Sequence, residues 1–334
     1  MDIIFTVSPK TMGKTTLTKM AGCGGNVIRL NFSHFDENFF INSIKEIREN
    51  NLDISILGDI QGNKIRVAAE LRNPIKLSPK EVVKVCSYEE YQNLIDPKGK
   101  IIPINQNSEE FSKIKSKEIF FQDGEISLTI MKKTKDYLEG RVKRGGIIRA
   151  EKSCNIKGYI REEGKVTKKD KKDIEFCLKE GFNIIALSYI ESRNGFLAYK
   201  NCILERAKEM GARIPEIYAK IETLKGVINL NDISKEAQGI IIARGDLVPE
   251  AGISNLPIIQ RIIFSRCKEK KIIIATHLLD SLVKGGAIST SEVNDIYWFI
   301  KNGVSGFLLA KETSASEEPN KAIIILKRLI EKYC

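Results

Sequence analysis

Short β-branched runs recur along the chain, and most are followed by a stretch with helical apolar spacing. The first, Ile3-Ile4-Phe5-Thr6-Val7-Ser8, precedes a helix expected over 14–21 and a stop at Gly24-Gly25. The second, 26–31, precedes a helix over 36–49, with Asp36 in the N-cap position. The third covers 53–57. After a long gap the pattern resumes at 183–188, Glu216–Ile221, Gly239–Ala243, Lys271–Ala275 and Gly306–Leu309, the last followed by an amphipathic stretch over 320–332. Away from the gap the runs mostly lie roughly 25–35 residues apart, the size of one βα unit. Eight such units predict an α/β chain closed into a (β/α)8 TIM barrel. A doubly wound open sheet is the alternative. It prefers a Gly-rich turn after the first strand, where this chain has Ser8-Pro9-Lys10.

The gap after the third strand is about 120 residues, too long for a loop. Runs at 117–121 and 125–131 flank Gln122-Asp123-Gly124, a hairpin signal, and 137–142 and Gly146–Ile148 extend the β pattern. Residues 67–164 are therefore expected to form a β-rich inserted domain, a small β-barrel, with 1–66 and 165–334 making the main barrel. The insertion leaves the main barrel on the side where such barrels place their chemistry.

At that side, polar residues follow the apolar runs: Arg29 to His34 after the second strand, Asp59 after the third, Lys220 and Glu222 at the fifth. The sixth supplies Arg244-Gly245-Asp246, the seventh Thr276-His277 and the eighth Glu312-Thr313. Two carboxylates from adjacent strands, Glu222 and Asp246, form an oxygen-only pair suited to Mg2+ or Mn2+. Arg29, Arg66, Lys220 and Arg244 add cations, and Gly245 lets backbone N–H groups approach an anion at a helix start. Carboxylates, cations and a hard metal together are the means of handling phosphate. Met12-Gly13-Lys14-Thr15 looks like the end of a P-loop, but Ser8 stands where that motif needs its first glycine and Pro9 follows. Lys14-Thr15 is instead expected in the first turn of a helix.

Composition narrows the reading further. The 334 residues carry 54 Lys+Arg against 43 Asp+Glu, a formal charge of +11. Much of that excess sits in Lys-rich solvated stretches, aromatics are 7%, and no basic stripe interleaves with them, so no nucleic-acid partner is expected. No apolar run reaches membrane-spanning length, and the start Met1-Asp2-Ile3 lacks the basic region of a signal peptide, so no membrane partner is expected either. Seven scattered cysteines without a CxxC pair argue for reduced, mostly buried thiols and a cytoplasmic location. Two histidines leave little room for His-based metal sites.

In their order along the chain, Arg29-Leu30-Asn31-Phe32-Ser33-His34, Lys220-Ile221-Glu222 and Ala243-Arg244-Gly245-Asp246-Leu247 resemble pyruvate kinase, and the resemblance extends over nearly the whole chain. It implies a phosphotransferase that moves phosphoryl from phosphoenolpyruvate to ADP, giving pyruvate and ATP. Under that resemblance Glu222 and Asp246 would hold the divalent metal, and Lys220 and Arg29 would contact the phosphoryl group. Gly245, Asp246 and Thr276 would bind the substrate carboxylate, with Thr276 also near the carbon that is protonated. His34, Arg66 and Lys152 match positions that contact the nucleotide, Lys152 lying on the insert, which would close as a lid. Asn31, Ser33, Asp59 and Ile60 match the monovalent-cation site.

At that last site, members that need potassium carry Asp-Thr-Lys-Gly-Pro-Glu, whereas this chain has Asp59-Ile60-Gln61-Gly62-Asn63-Lys64. It is similar to the potassium-independent branch, in which a lysine here replaces the cation, so K+ is not expected to be required. Other departures are His277 for a Gln and Ala310-Lys311 for Ser-Gly. The family's C-terminal effector domain is expected to be absent, and with it activation by fructose 1,6-bisphosphate. A homodimer through the barrel is the simplest assembly. The same residues leave open a pathway-specific phosphoenolpyruvate enzyme, an oxaloacetate decarboxylase, or a catalytically silent regulatory paralogue.

Overall fold

The computed structural model describes residues 1–93, 99–161, 164–283 and 285–334. Eight parallel strands close into a barrel: β1 (Asp2–Thr6), β2 (Val27–Asn31), β3 (Ser55–Ile60), β4 (Ile184–Leu187), β5 (Glu216–Ile221), β6 (Gly239–Ala243), β7 (Lys271–Ala275) and β8 (Gly306–Leu309). Consecutive strands are neighbours, and β8 pairs back onto β1 with Ile4 opposite Leu308. The expected TIM barrel is thus the observed one.

Side chains alternate between the two faces of a strand, so inward positions recur every second residue. Ile4, Val27, Leu57, Ala186, Tyr218, Ile241, Ile273 and Leu308, one from each strand, pack in one buried cluster. Gly239 makes room for the largest of them: a Cβ there would lie 2.9 Å from the Tyr218 ring. Two residues further along each strand the inward positions are Thr6, Arg29, Asp59 and Lys220 on β1, β2, β3 and β5, and Ser188 directly after β4. On β6, β7 and at the end of β8 they are Ala243, Ala275 and Ala310. The C-terminal mouth therefore has a charged half and a half lined by small side chains.

Some boundaries differ from the sequence reading. β3 runs on to Ile60, because the charge of buried Asp59 is matched by cations within the barrel. Lys14 and Thr15 lie in a turn between two short helices, Pro9–Met12 and Leu17–Gly22; Thr16 caps the second one, so it starts later than expected. Asp36 does cap the helix Glu37–Glu49, its carboxylate accepting the Phe39 N–H.

By its contacts the chain divides into two units. One comprises Met1–Gly62, Glu163–Arg244 and Pro257–Cys334; the other comprises Asn63–Glu162 and Gly245–Leu256. The second starts earlier than residue 67, because Arg66 and Val67 already pair with Ser153 and Ile104. It has its own apolar core, including Val85, Ile104, Phe111, Phe121 and Leu128. Its strands form a six-stranded sheet, from Cys154–Ile156 at one edge to Ile101–Ile104 at the other, and a separate ribbon of Ile75–Leu77 with Gly146–Ile148. A small closed barrel was expected. Segment 65–68 links the two edges of the sheet: the Val67 N–H donates to the Lys152 carbonyl and the Cys154 N–H to the Ile65 carbonyl on one side, and the Ala68 N–H to the Pro103 carbonyl and the Asn105 N–H to the Arg66 carbonyl on the other. The hairpin turn falls where expected, with Gln122, Asp123 and Gly124 all at positive φ.

All seven cysteines are free thiols, and Cys86, Cys154, Cys177 and Cys267 are buried. Burial pushes the Cys86 thiol up to about 12. Among the described residues no helix is long and apolar enough to cross a membrane.

Candidate active site

The inward polar residues of β1 to β5 form one network. Arg29 donates through Nε to Asp59 at 2.8 Å and through Nη1 to the Thr6 hydroxyl at 2.9 Å. The Ser188 hydroxyl donates to the other Asp59 oxygen at 3.1 Å and accepts from Lys220 Nζ at 2.8 Å. The Lys220 ammonium also lies 3.0 Å from Asp59 and 3.2 Å from Glu222 Oε1. Burial disfavours the charged form of Asp59, but Lys220 and Arg29 outweigh it and hold the carboxyl at about 2. Lys220 thus sits, 8% exposed, between two carboxylates.

Glu222 is 1% exposed and accepts the Tyr189 N–H at 2.6 Å. Tyr189 has φ +55, so the backbone after β4 is held in a left-handed conformation beside that carboxylate. Asn31 caps the short turn Phe32–His34, its side-chain oxygen accepting the Ser33 N–H. His34 is exposed at the end of that turn. Ile60 is fully buried and offers no side-chain oxygen.

After β6 the chain enters the helix Arg244–Ala251, with Gly245 and Asp246 in its first turn, where backbone N–H groups lack intrahelical partners. Asp246 is 7% exposed. Its carboxylate accepts Lys64 Nζ at 3.0 and 3.1 Å and the side-chain amide of buried Asn155 at 3.1 Å. Lys64, read from the sequence as a substitute for potassium, therefore places its charge on Asp246. Arg66 donates to the carbonyl of Glu151, next to exposed Lys152, so these two nucleotide candidates share one unit.

Arg244 departs from its expected part as a cation free for phosphate. Its guanidinium pairs with Asp295, donates to the carbonyls of Thr276 and His277, and lies over the Phe299 ring. Thr313 likewise links strands, its hydroxyl donating to the Thr6 carbonyl and accepting the Thr6 N–H. Thr6, Ser188, Tyr189 and Asn155 were not singled out from the sequence. Thr6 and Ser188 carried a usable signal: each is the inward residue two places beyond a buried one on its strand.

A family model described as "Pyruvate kinase, barrel domain" matches residues 1–323. The chain belongs to the pyruvate kinase family. Curated pyruvate kinases align with almost all of it. That of Thermotoga maritima is 31% identical over 99% of this chain and 70% of its own length. One from Agrobacterium vitis is 28% identical over 99% and 68%, and that of Chlamydia pneumoniae 29% identical over 98% and 67%. The closed barrel and additional sheets described above are the architecture on which this family's residues are arranged here.

Proposed function

We propose that the chain transfers the phosphoryl group of phosphoenolpyruvate to ADP, with one proton taken up as pyruvate and ATP form. The observation that carries this reading is Lys220, a buried cation held at the barrel mouth by Asp59, Ser188 and Glu222 in a chain of this family.

The proposed metal is Mg2+ or Mn2+, with Glu222 and Asp246 as its protein ligands. Both are buried carboxylates, whose oxygens suit a hard divalent cation. Two carboxylate oxygens leave the remaining positions to water and substrate oxygens, as hard divalent cations prefer. Bound there, the cation offsets charge on the phosphoryl and enolate oxygens.

Lys220 neutralises the phosphoryl group in transfer; its fixed contacts with Asp59 and Ser188 hold the ammonium in place beforehand, so little reorganisation accompanies the reaction. Arg29 keeps one edge on Asp59 and turns its remaining N–H donors to phosphoryl oxygens. The backbone N–H groups of Gly245 and Asp246, in the first turn of the helix Arg244–Ala251, with Thr276, receive the substrate carboxylate. Arg66, Lys152 and His34 contact the nucleotide.

A coupled assay with phosphoenolpyruvate, ADP and Mg2+ tests the reading: ATP and pyruvate should form in equal amounts. Metal-dependent loss of oxaloacetate without ATP would favour a decarboxylase, and no turnover with a retained protein partner would favour a regulatory paralogue.

Activity is also proposed to be independent of K+. In support, both Asp59 oxygens already face cations, the Asn31 oxygen is engaged by Ser33, and Ile60 and Lys64 replace oxygen-bearing side chains. Turnover in choline or Na+ buffer should equal that in K+ buffer; a chain inert until K+ is added would overturn this point.

A further inference from the structure

Thr276 and His277, directly after β7, have φ +68 and +55. Two consecutive non-glycine residues in the left-handed region are costly, most of all for a β-branched threonine, and persist only where surrounding groups impose them. Here those groups come from the two strands flanking β7 in the barrel, β6 and β8.

Arg244, at the end of β6, donates Nε to the Thr276 carbonyl at 3.0 Å and an Nη to the His277 carbonyl. It is fixed in turn by Asp295 and by the Phe299 ring, 5.3 Å from its centroid. Glu312, just beyond β8 and 1% exposed, accepts the N–H groups of Leu278 and Leu279 through Oε1 at 3.2 and 3.4 Å. Its Oε2 accepts the Ala310 N–H at 2.8 Å. A buried guanidinium thus holds the carbonyls of the strained pair, and a buried carboxylate holds the N–H groups of the next two residues.

We propose that Arg244 and Glu312 are positioning residues for Thr276, holding its left-handed backbone so that its hydroxyl is aimed at C3 of the enolate. This rests on the functional reading above. In the step concerned, the enolate double bond supplies the electron pair of the new C3–H bond, C2–O becomes the ketone, and the proton comes from water through the Thr276 hydroxyl. Neither positioning residue touches substrate.

Glu312→Gln would put an NH2 against backbone N–H donors at one of its two ends. Arg244→Lys keeps a cation for Asp295 but cannot span both carbonyls. The test measures two rates for each variant: ATP formation from phosphoenolpyruvate and ADP, and exchange of pyruvate methyl hydrogens in D2O followed by NMR. Thr276→Ala is the reference for loss of the hydroxyl. Misplacing the threonine should slow exchange by about 100-fold. ATP formation should fall less than about tenfold, because enolpyruvate can leave and become the ketone in water. Circular dichroism checks that each variant is folded, and Arg244→Lys serves if Glu312→Gln is not.

A merely structural role would lower both rates by the same factor. That outcome, or unchanged rates, alongside a selective exchange defect in Thr276→Ala, overturns the positioning role alone. Exchange unaffected in Thr276→Ala removes the threonine from the proton step and overturns the positioning role, while a wild-type chain that neither makes ATP nor exchanges pyruvate hydrogens overturns the functional reading as well.

Discussion

Lys220→Met should lower ATP formation by roughly 10³–10⁵, the range seen when a charge-stabilising cation is removed from phosphoryl transfer. The same change should cost about 3–5 kcal/mol of stability, because it strips the shared cation from Asp59 and Glu222. The two effects are separable. Adding Glu222→Gln to Lys220→Met removes a carboxylate charge that Lys220 offset, while Asp59 keeps Arg29, so the double variant should regain much of the stability and none of the activity. Urea unfolding and the coupled assay on the same preparations check both. Activity returning with stability would mean that Lys220 acts only through the fold, and the phosphoryl role would be withdrawn.

Glu222→Gln should weaken Mn2+ binding by more than about 100-fold, read directly from the free-Mn2+ electron paramagnetic resonance signal without any turnover. The amide oxygen can still accept the Tyr189 N–H and Asp59 still faces the Lys220 ammonium, so the loop after β4 is expected to stay in place and the melting temperature to fall only by the weakened Lys220 contact. Unchanged Mn2+ affinity would remove Glu222 from the proposed metal site. Asp246 is a different case, because its carboxylate carries Lys64 and Asn155, and its replacement would disturb those contacts as well.

The fold was legible because its signals are local. Each barrel strand is a short β-branched run, and β5 to β8 fall on the expected residues. The inserted sheet was legible as strands and a turn but not as an arrangement. How its two edges are linked depends on pairing of segment 65–68 with 152–154 and 103–105, distant along the chain, which no period encodes. At the site, reading the polar end of each apolar run found Arg29, Asp59, Lys220 and Glu222, which the barrel brings into one network. Thr6 and Ser188 follow the same pattern at the first and fourth strands and join the same network. Tyr189 and Asn155 had no such signal: one acts through its backbone N–H, the other from the edge of a distant sheet.

By itself, the sequence determined the eight-unit barrel, the presence of a β-rich insertion, the family, and which side chains face the mouth. Those follow from periods of two and 3.6 residues and from residue types at strand ends. Only the tertiary structure decided which charge meets which. Arg29 meets Asp59 across 30 positions and Lys64 meets Asp246 across 182, while Arg244, expected to await an anion, holds the carbonyls after β7 instead. A cation's partner is set by which strands become neighbours when the barrel closes, and desolvation at that point makes the choice decisive.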